Sequence, residues 1–266
     1  MSGYSTDPTL GVPEETREDA YRACATLRFA EGLRRRAPEA RAEAAVQEAV
    51  AAAWLEGARV DASVVREAAM ELQTSGFAAG ATGVEDPALA WAMGTWRATW
   101  RALDALPDLN TRSVTRGSPV PVPGLLAGIN RDVSSFLVAS GNMSGASVAI
   151  PRKPEVVRQV VELVRDTSND AIDRAGQIWR LLVVESPFEV GNTATAVAFL
   201  KWFLATSGVE PTGVSVISRW PVEEPAKYPQ MLLSRSPEQV VVSSLVRGCA
   251  EGQAIALAVQ AGRLPG

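Results

Sequence analysis

Residues 177–208, QIWRLLVVESPFEVGNTATAVAFLKWFLATSG, constrain the fold more than any other stretch. They read as helix, short loop, helix. Residues 177–184 are the apolar end of a helix. Pro187 stops it, because proline lacks the N–H that would continue the ladder and crowds the residue before it. Gly191 and Asn192 turn the chain. Residues 193–206 form a second, strongly apolar helix, and Ser207-Gly208 closes it. A helix that is apolar on nearly every face belongs inside a protein, so the rest of the chain is organised around it.

The 266 residues suffice for one large domain or two modest ones, and no internal repeat or second-domain boundary is visible. A net charge of −4 gives no strong electrostatic pull toward nucleic acid or an anionic membrane, and neither is expected as a partner. The absence of histidine excludes a histidine base, a histidine metal ligand and any Ser-His-Asp arrangement. Cys24 and Cys249 form neither a disulfide framework nor a metal site, which suits a reduced cytoplasm. The N-terminus lacks the pattern of a signal peptide, and no uninterrupted apolar run reaches membrane-spanning length, since Lys201 breaks the helix after Gly191. A cytoplasmic location is therefore expected. Lysine is confined to Lys153, Lys201 and Lys227; arginine and alanine in excess point to a GC-rich, bacterial genome.

Residues 1–17 are expected to be a loose arm, 18–106 an N-terminal helical region, and 107–266 the core. A helix is predicted over 17–33, with Arg34, Arg35 and Arg36 at its C-terminal end. Pro38 opens the next, in which Ala45, Ala49 and Ala53 make a narrow face, and Gly57 ends it. Asp61 caps a helix that turns Val64, Val65, Ala68 and Leu72 inward. A glycine-rich loop covers 75–86. Pro87 begins a long helix whose Leu89, Met93, Trp96, Trp100 and Leu103 fall on one stripe; core packing outweighs a ligand platform there. A proline-rich connection over 110–124 leads to a short helix at 128–138. Residues 141–150, GNMSGASVAI, suggest a small β-hairpin. Helices follow at 155–165 and at 169–184, the second capped by Ser168. A proline-broken loop spans 220–229, and a last helix runs over 238–262. The expected fold class is all-α, near ten helices, with one minor hairpin.

Ser186-Pro187-Phe188-Glu189-Val190-Gly191-Asn192 resembles the signature loop of the Fic (Fido) family. Its members mostly transfer AMP from ATP to a hydroxyl side chain. Their pattern runs histidine, proline, phenylalanine, any residue, an acid, glycine, asparagine, glycine, arginine, two residues, arginine, and lies between two helices. The likeness extends over roughly 40–260. Ser147, Val148 and Ala149, followed by Ile150 to Val157, resemble the family's β-hairpin flap and its proline-rich lead into a helix. Glu56 and Gly57 resemble the end of its inhibitory helix, although Ala52 stands where that pattern has serine or threonine. Tyr228, Leu232 and the helix after Pro237 resemble its closing helices. The resemblance thus implies a Fic/Fido-like helical bundle with a small flap.

The departures bear on function. Ser186 occupies the place of the catalytic histidine, and serine is no general base at neutral pH. Val190 occupies the place of the Mg²⁺-binding acid, and an isopropyl group offers no oxygen ligand. Thr193 replaces the second glycine. Ala194 and Val197 replace both phosphate-gripping arginines. Phe188 matches and belongs to the core. The inhibitory glutamate's counterpart, Glu56, lacks its arginine partner.

Some candidate chemistry remains. Gly191, Asn192 and Thr193 precede a helix whose free N–H groups attract an anion or nucleotide phosphate; the alternative is that Asn192 and Thr193 simply cap it. Glu189 and Glu185 are weak candidates for a metal, against the plainer reading as solvated loop acids. The expected function is a binding or regulatory pseudoenzyme, inactive in AMP transfer, with a protein partner recruited through a helical surface or by strand addition at the flap. The alternatives are a histidine-free transferase using Glu189 or Glu185 with Mg²⁺ and ATP, and an unrelated helical domain.

Overall fold

A computed structural model describes residues 15–75, 84–104, 106 and 120–262. Among these residues it is all-α, in eleven helices: α1 (Arg17–Arg28), α2 (Leu33–Leu55), α3 (Ala62–Ser75), α4 (Pro87–Asp104), α5 (Val122–Ala139), α6 (Pro154–Arg165), α7 (Ala171–Val184), α8 (Asn192–Thr206), α9 (Arg219–Glu223), α10 (Lys227–Leu232) and α11 (Glu238–Gln260). Helix α8 lies at the centre, packed by α2, α4, α5 and α7. Eleven of its residues are buried, from Ala194 through Lys201 and then Phe203 to Ala205. Its apolar character all round is thereby explained.

Helices α4 and α5 share the most extensive packing between any two helices of the described residues. Gly94 permits it, since a Cβ there would lie 1.9 Å from the Val133 carbonyl oxygen. Met93, Trp96 and Leu103 of the α4 stripe are buried, and Trp96 stacks on the half-buried Trp100 with centroids 6.3 Å apart. The stripe is core, as expected. Helix α11 packs on α1, α2, α7, α9 and α10. It is long and apolar enough to cross a bilayer, which the sequence reading did not anticipate, but 61% of that window is buried inside the protein.

Lys201 does not interrupt α8 by reaching solvent. It is 3% exposed, and its Nζ lies 3.4 Å from the Glu48 carboxylate and donates to the Ser215 carbonyl. Glu48, fully buried on α2, also accepts from the N–H groups of Ile217 and Ser218 at 2.8 and 2.9 Å. The pair is thus hydrogen-bonded on both sides, the condition under which buried charge is tolerated.

Several expectations are corrected. No hairpin forms: residues 141–150 are turns and bends, without a strand among the described residues. Its backbone groups bond locally or to side chains, as when Val148 N–H reaches the Gly145 carbonyl, so no ladder is built. Helix α1 ends at Arg28, and Arg34, Arg35 and Arg36 belong to the start of α2, which kinks at Arg36 just before Pro38. Val64 is exposed, while Val65 and Leu72 are buried. Asp170, not Ser168, caps α7, accepting from the Ile172 N–H at 2.8 Å. The helix expected over 128–138 extends from Val122, because prolines fit a first turn. The loop expected over 220–229 holds α9 and the start of α10. Most of the loose arm, the glycine-rich loop and the proline-rich connection lie outside the described residues, while Arg17 belongs to α1 behind a Thr16–Asp19 capping box.

Candidate functional site

The loop between α7 and α8 is built from backbone turns that its sequence dictates. After the α7 C-cap, Glu185, Ser186 takes a left-handed φ of +48°, the position that usually closes a helix with glycine. Its Oγ donates to the Val183 carbonyl at 2.8 Å. The Pro187 carbonyl accepts from the N–H groups of Arg152 and Lys153 at 2.7 and 3.3 Å. Phe188 is 3% exposed and anchors the loop in the core. Gly191 is the α8 N-cap, with φ +73°. A Cβ there would stand 2.9 Å from Val133 Cγ1, so glycine is required for space as well as for conformation.

The polar side chains of the loop are used internally. The Asn192 carboxamide accepts from the Phe188 N–H and donates to the Phe188 carbonyl, both at 2.9 Å. Asn192 is the first residue of α8 rather than its cap, and no side chain caps that helix. Thr193 is half-buried in the first turn. Of the three anion candidates, Asn192 therefore spends its side chain on the loop.

Asn130 of α5 was missed in the sequence. Its Nδ2 donates to the Val190 carbonyl at 2.9 Å and to Thr195 Oγ1 at 3.2 Å. Its Oδ1 accepts from the Ala149 N–H at 3.0 Å. Ala149 has φ +65°, so the segment holding Ser147, Val148 and Ala149 is tied beside the loop as an irregular turn. A single buried carboxamide joins loop, segment and α8. The available signal was an asparagine set among apolar residues of one helix, Leu126, Ile129 and Val133.

The two loop acids are held by separate cations. Glu189 pairs with Arg152 at 2.7 Å. The Lys153 ammonium donates to the Glu185 carbonyl at 2.5 Å and lies 3.7 Å from its carboxylate. A hydrogen bond from Ser147, then the Arg152 charge, holds the Glu189 carboxyl below its ordinary range. Glu56 is the exposed C-cap of α2, and Gly57 follows with φ +82°. Burial raises the Tyr228 phenol well above its usual pKa, and the Glu56 charge adds to this.

No family model matches the chain, and no curated protein does. Solved structures do. A fragment of Fic-1 from C. elegans shares 19% identity at a TM-score of 0.59, over 92% of this chain and 73% of that one. A substituted form of the same fragment gives 18% identity and the same TM-score and coverage. A Fic family protein from Desulfovibrio desulfuricans G20 gives 11% identity and a TM-score of 0.59, over 97% and 78% of the two chains. This chain has the Fic fold.

The loop between α7 and α8 is the one whose sequence resembles the family's signature, and its residues differ from that pattern. Ala194 and Val197, at the two arginine positions, are fully buried. Ser186, at the histidine position, directs its hydroxyl into the end of α7. Val190, at the acid position, has its carbonyl taken by Asn130. Among the described residues, no three histidine, cysteine, aspartate or glutamate side chains gather to hold a metal. These residues do not fit a Mg²⁺-bound nucleotide in the manner of the family pattern.

Proposed function

We propose that this chain is a Fic-fold pseudoenzyme, inactive in AMP transfer, which serves as a binding or regulatory module for a protein partner. One observation carries the proposal: the positions where the pattern places phosphate-gripping arginines hold Ala194 and Val197, both sealed in the core. A guanidinium reaching a phosphate must point into an open pocket; these side chains point into packed apolar atoms. The internal use of Asn192 and the pairing of Glu189 with Arg152 support the same reading. Strand addition at a flap loses its basis without a strand in 141–150. Apolar surface remains near the loop, at Val184 on α7 and at Ile150 in the irregular segment before α6, both exposed.

The test is a time course with labelled ATP, Mg²⁺ or Mn²⁺ and a cell lysate. No label transfer is expected. Robust transfer that disappears in Gly191→Glu overturns the proposal.

The second reading, a histidine-free transferase, draws on the exposure of Glu185 and Glu189 beside the loop. Against it, a carboxylate held below its ordinary pKa is a poor proton acceptor. Thermal shifts with ATP, CTP, UTP and GTP at millimolar concentration separate the two. The pseudoenzyme reading expects none, whereas a clear stabilisation by one nucleotide favours the transferase.

A further inference from the structure

Cys24 lies on α1 and Cys249 on α11, helices from opposite ends of the chain. Both side chains are buried, at 3% and 0% exposure. The Cys249 thiol points at the Cys24 sulfur across 3.7 Å. We propose that Cys24 and Cys249 form a redox clasp: oxidation by a peroxide joins them in a disulfide that locks α1 onto α11. The two sulfurs already touch, so closing the bond asks for a small approach of α1 to α11 rather than a rearrangement.

Helix α1 is the piece that opens. Its twelve residues are too few for a stable helix in water, so it holds its shape by packing Ala20, Cys24 and Leu27 on the core. Two polar contacts fasten it to the first turn of α7 and its cap: Tyr21 to Asp170 at 2.8 Å, and Arg17 to Asp173 at 2.5 Å. Both sit at the surface, where such contacts contribute little. Local opening of α1 admits a small oxidant to Cys24 first.

The chemistry balances. The Cys24 thiol gives up its proton and the thiolate attacks one peroxide oxygen; the O–O bond breaks, and the departing hydroxide takes that proton to leave as water, with a sulfenic acid on Cys24. Cys249 then attacks the Cys24 sulfur. The S–S bond forms, the S–OH bond breaks, and the hydroxyl departs as water with the Cys249 proton. Two thiols and one peroxide give one disulfide and two waters. A dithiol reductant reverses the step. The contact with Cys24, then burial, raises the Cys249 thiol pKa, so Cys249 stays a protonated thiol until the sulfenic acid lies beside it.

The experiment treats the folded chain with hydrogen peroxide, quenches it, and measures intact mass, non-reducing peptide maps and thermal melting. The expected product has lost two hydrogen atoms and contains a Cys24–Cys249 cross-linked peptide. It melts about 5–10 °C higher than the reduced chain. Amide exchange in α1 slows, and dithiothreitol reverses all three effects. Cys24→Ala and Cys249→Ala each abolish the gain in melting temperature. Wild-type protein whose thiols stay reduced, or gain oxygen on Cys24 without cross-linking, overturns the proposal whatever the stability of the variants.

Discussion

Asn192 clasps the backbone of Phe188: its carboxamide accepts from that residue's N–H and donates to its carbonyl, both at 2.9 Å. The asparagine of the Fic-like loop is therefore a structural member here. Asn192→Ala leaves two backbone groups without partners beside a buried ring. A loss of about 1–3 kcal/mol is expected, measured by urea unfolding. Asn192→Asp keeps the acceptor but turns a second oxygen toward the Phe188 carbonyl, so it is expected to cost no less than Asn192→Ala does.

Asn130 supplies both donors and acceptors, to Val190, Thr195 and Ala149. Asn130→Asp replaces the donor that faces the Val190 carbonyl with a second oxygen, in a site 1% exposed. It is expected to destabilise more than Asn130→Ala does, by chemical unfolding, because a buried acid then faces an acceptor.

Restoring the loop one residue at a time is expected to fail. Ser186→His supplies a base without a phosphate grip, and no transfer of labelled nucleotide is expected from it. Val197→Arg drives a guanidinium into a fully buried position and is expected to cost about 3 kcal/mol or more, seen as a lower melting temperature or loss of folded protein. A stable Val197→Arg chain that binds ATP contradicts the packing argument.

The buried pair of Glu48 and Lys201 is expected to be strongly coupled. Glu48→Gln leaves an ammonium buried beside a neutral partner and is expected to cost about 3–5 kcal/mol. The double variant Glu48→Gln/Lys201→Met is expected to cost less than the sum of its single changes, as measured by a double-mutant cycle in denaturant.

Asp166 accepts from the Ser168 N–H at 2.8 Å, from Ser168 Oγ at 2.6 Å and from Asn169 Nδ2 at 2.5 Å, between α6 and α7. These bonds lower its pKa from 3.8 to about 2, the Ser168 side chain contributing most. Because the folded state binds the proton less readily, the contribution to stability is complete above the unfolded value. It is lost as pH falls through about 2. The melting-temperature gap between wild type and Asp166→Ala is expected to be constant near neutrality and to shrink below pH 4, with ordinary carboxylates titrating in the same range.

Helix positions were legible where local chemistry sets them. Pro87, Pro154 and Asp61 mark helix starts, and Gly57 and Gly208 mark stops, because these residues act on their own turn. The 141–150 segment misled because a short β-like run forms a strand only with a partner; here Asn130, from another helix, takes the Ala149 N–H. Lys201 read as a break in an apolar helix because its partner Glu48 lies 153 residues away.

The sequence by itself determined that the chain is helical, that an apolar helix follows a proline-and-glycine loop, and that this loop lacks a histidine, an acid at position 190 and two arginines. Those are properties of residue identity and near-neighbour spacing. Only the tertiary structure decided that positions 194 and 197 are sealed, that Asn130 holds the loop from 60 residues away, and that two distant thiols meet. Each depends on which helix faces are brought together, and that follows from side-chain packing across the whole core rather than from any single turn of the chain.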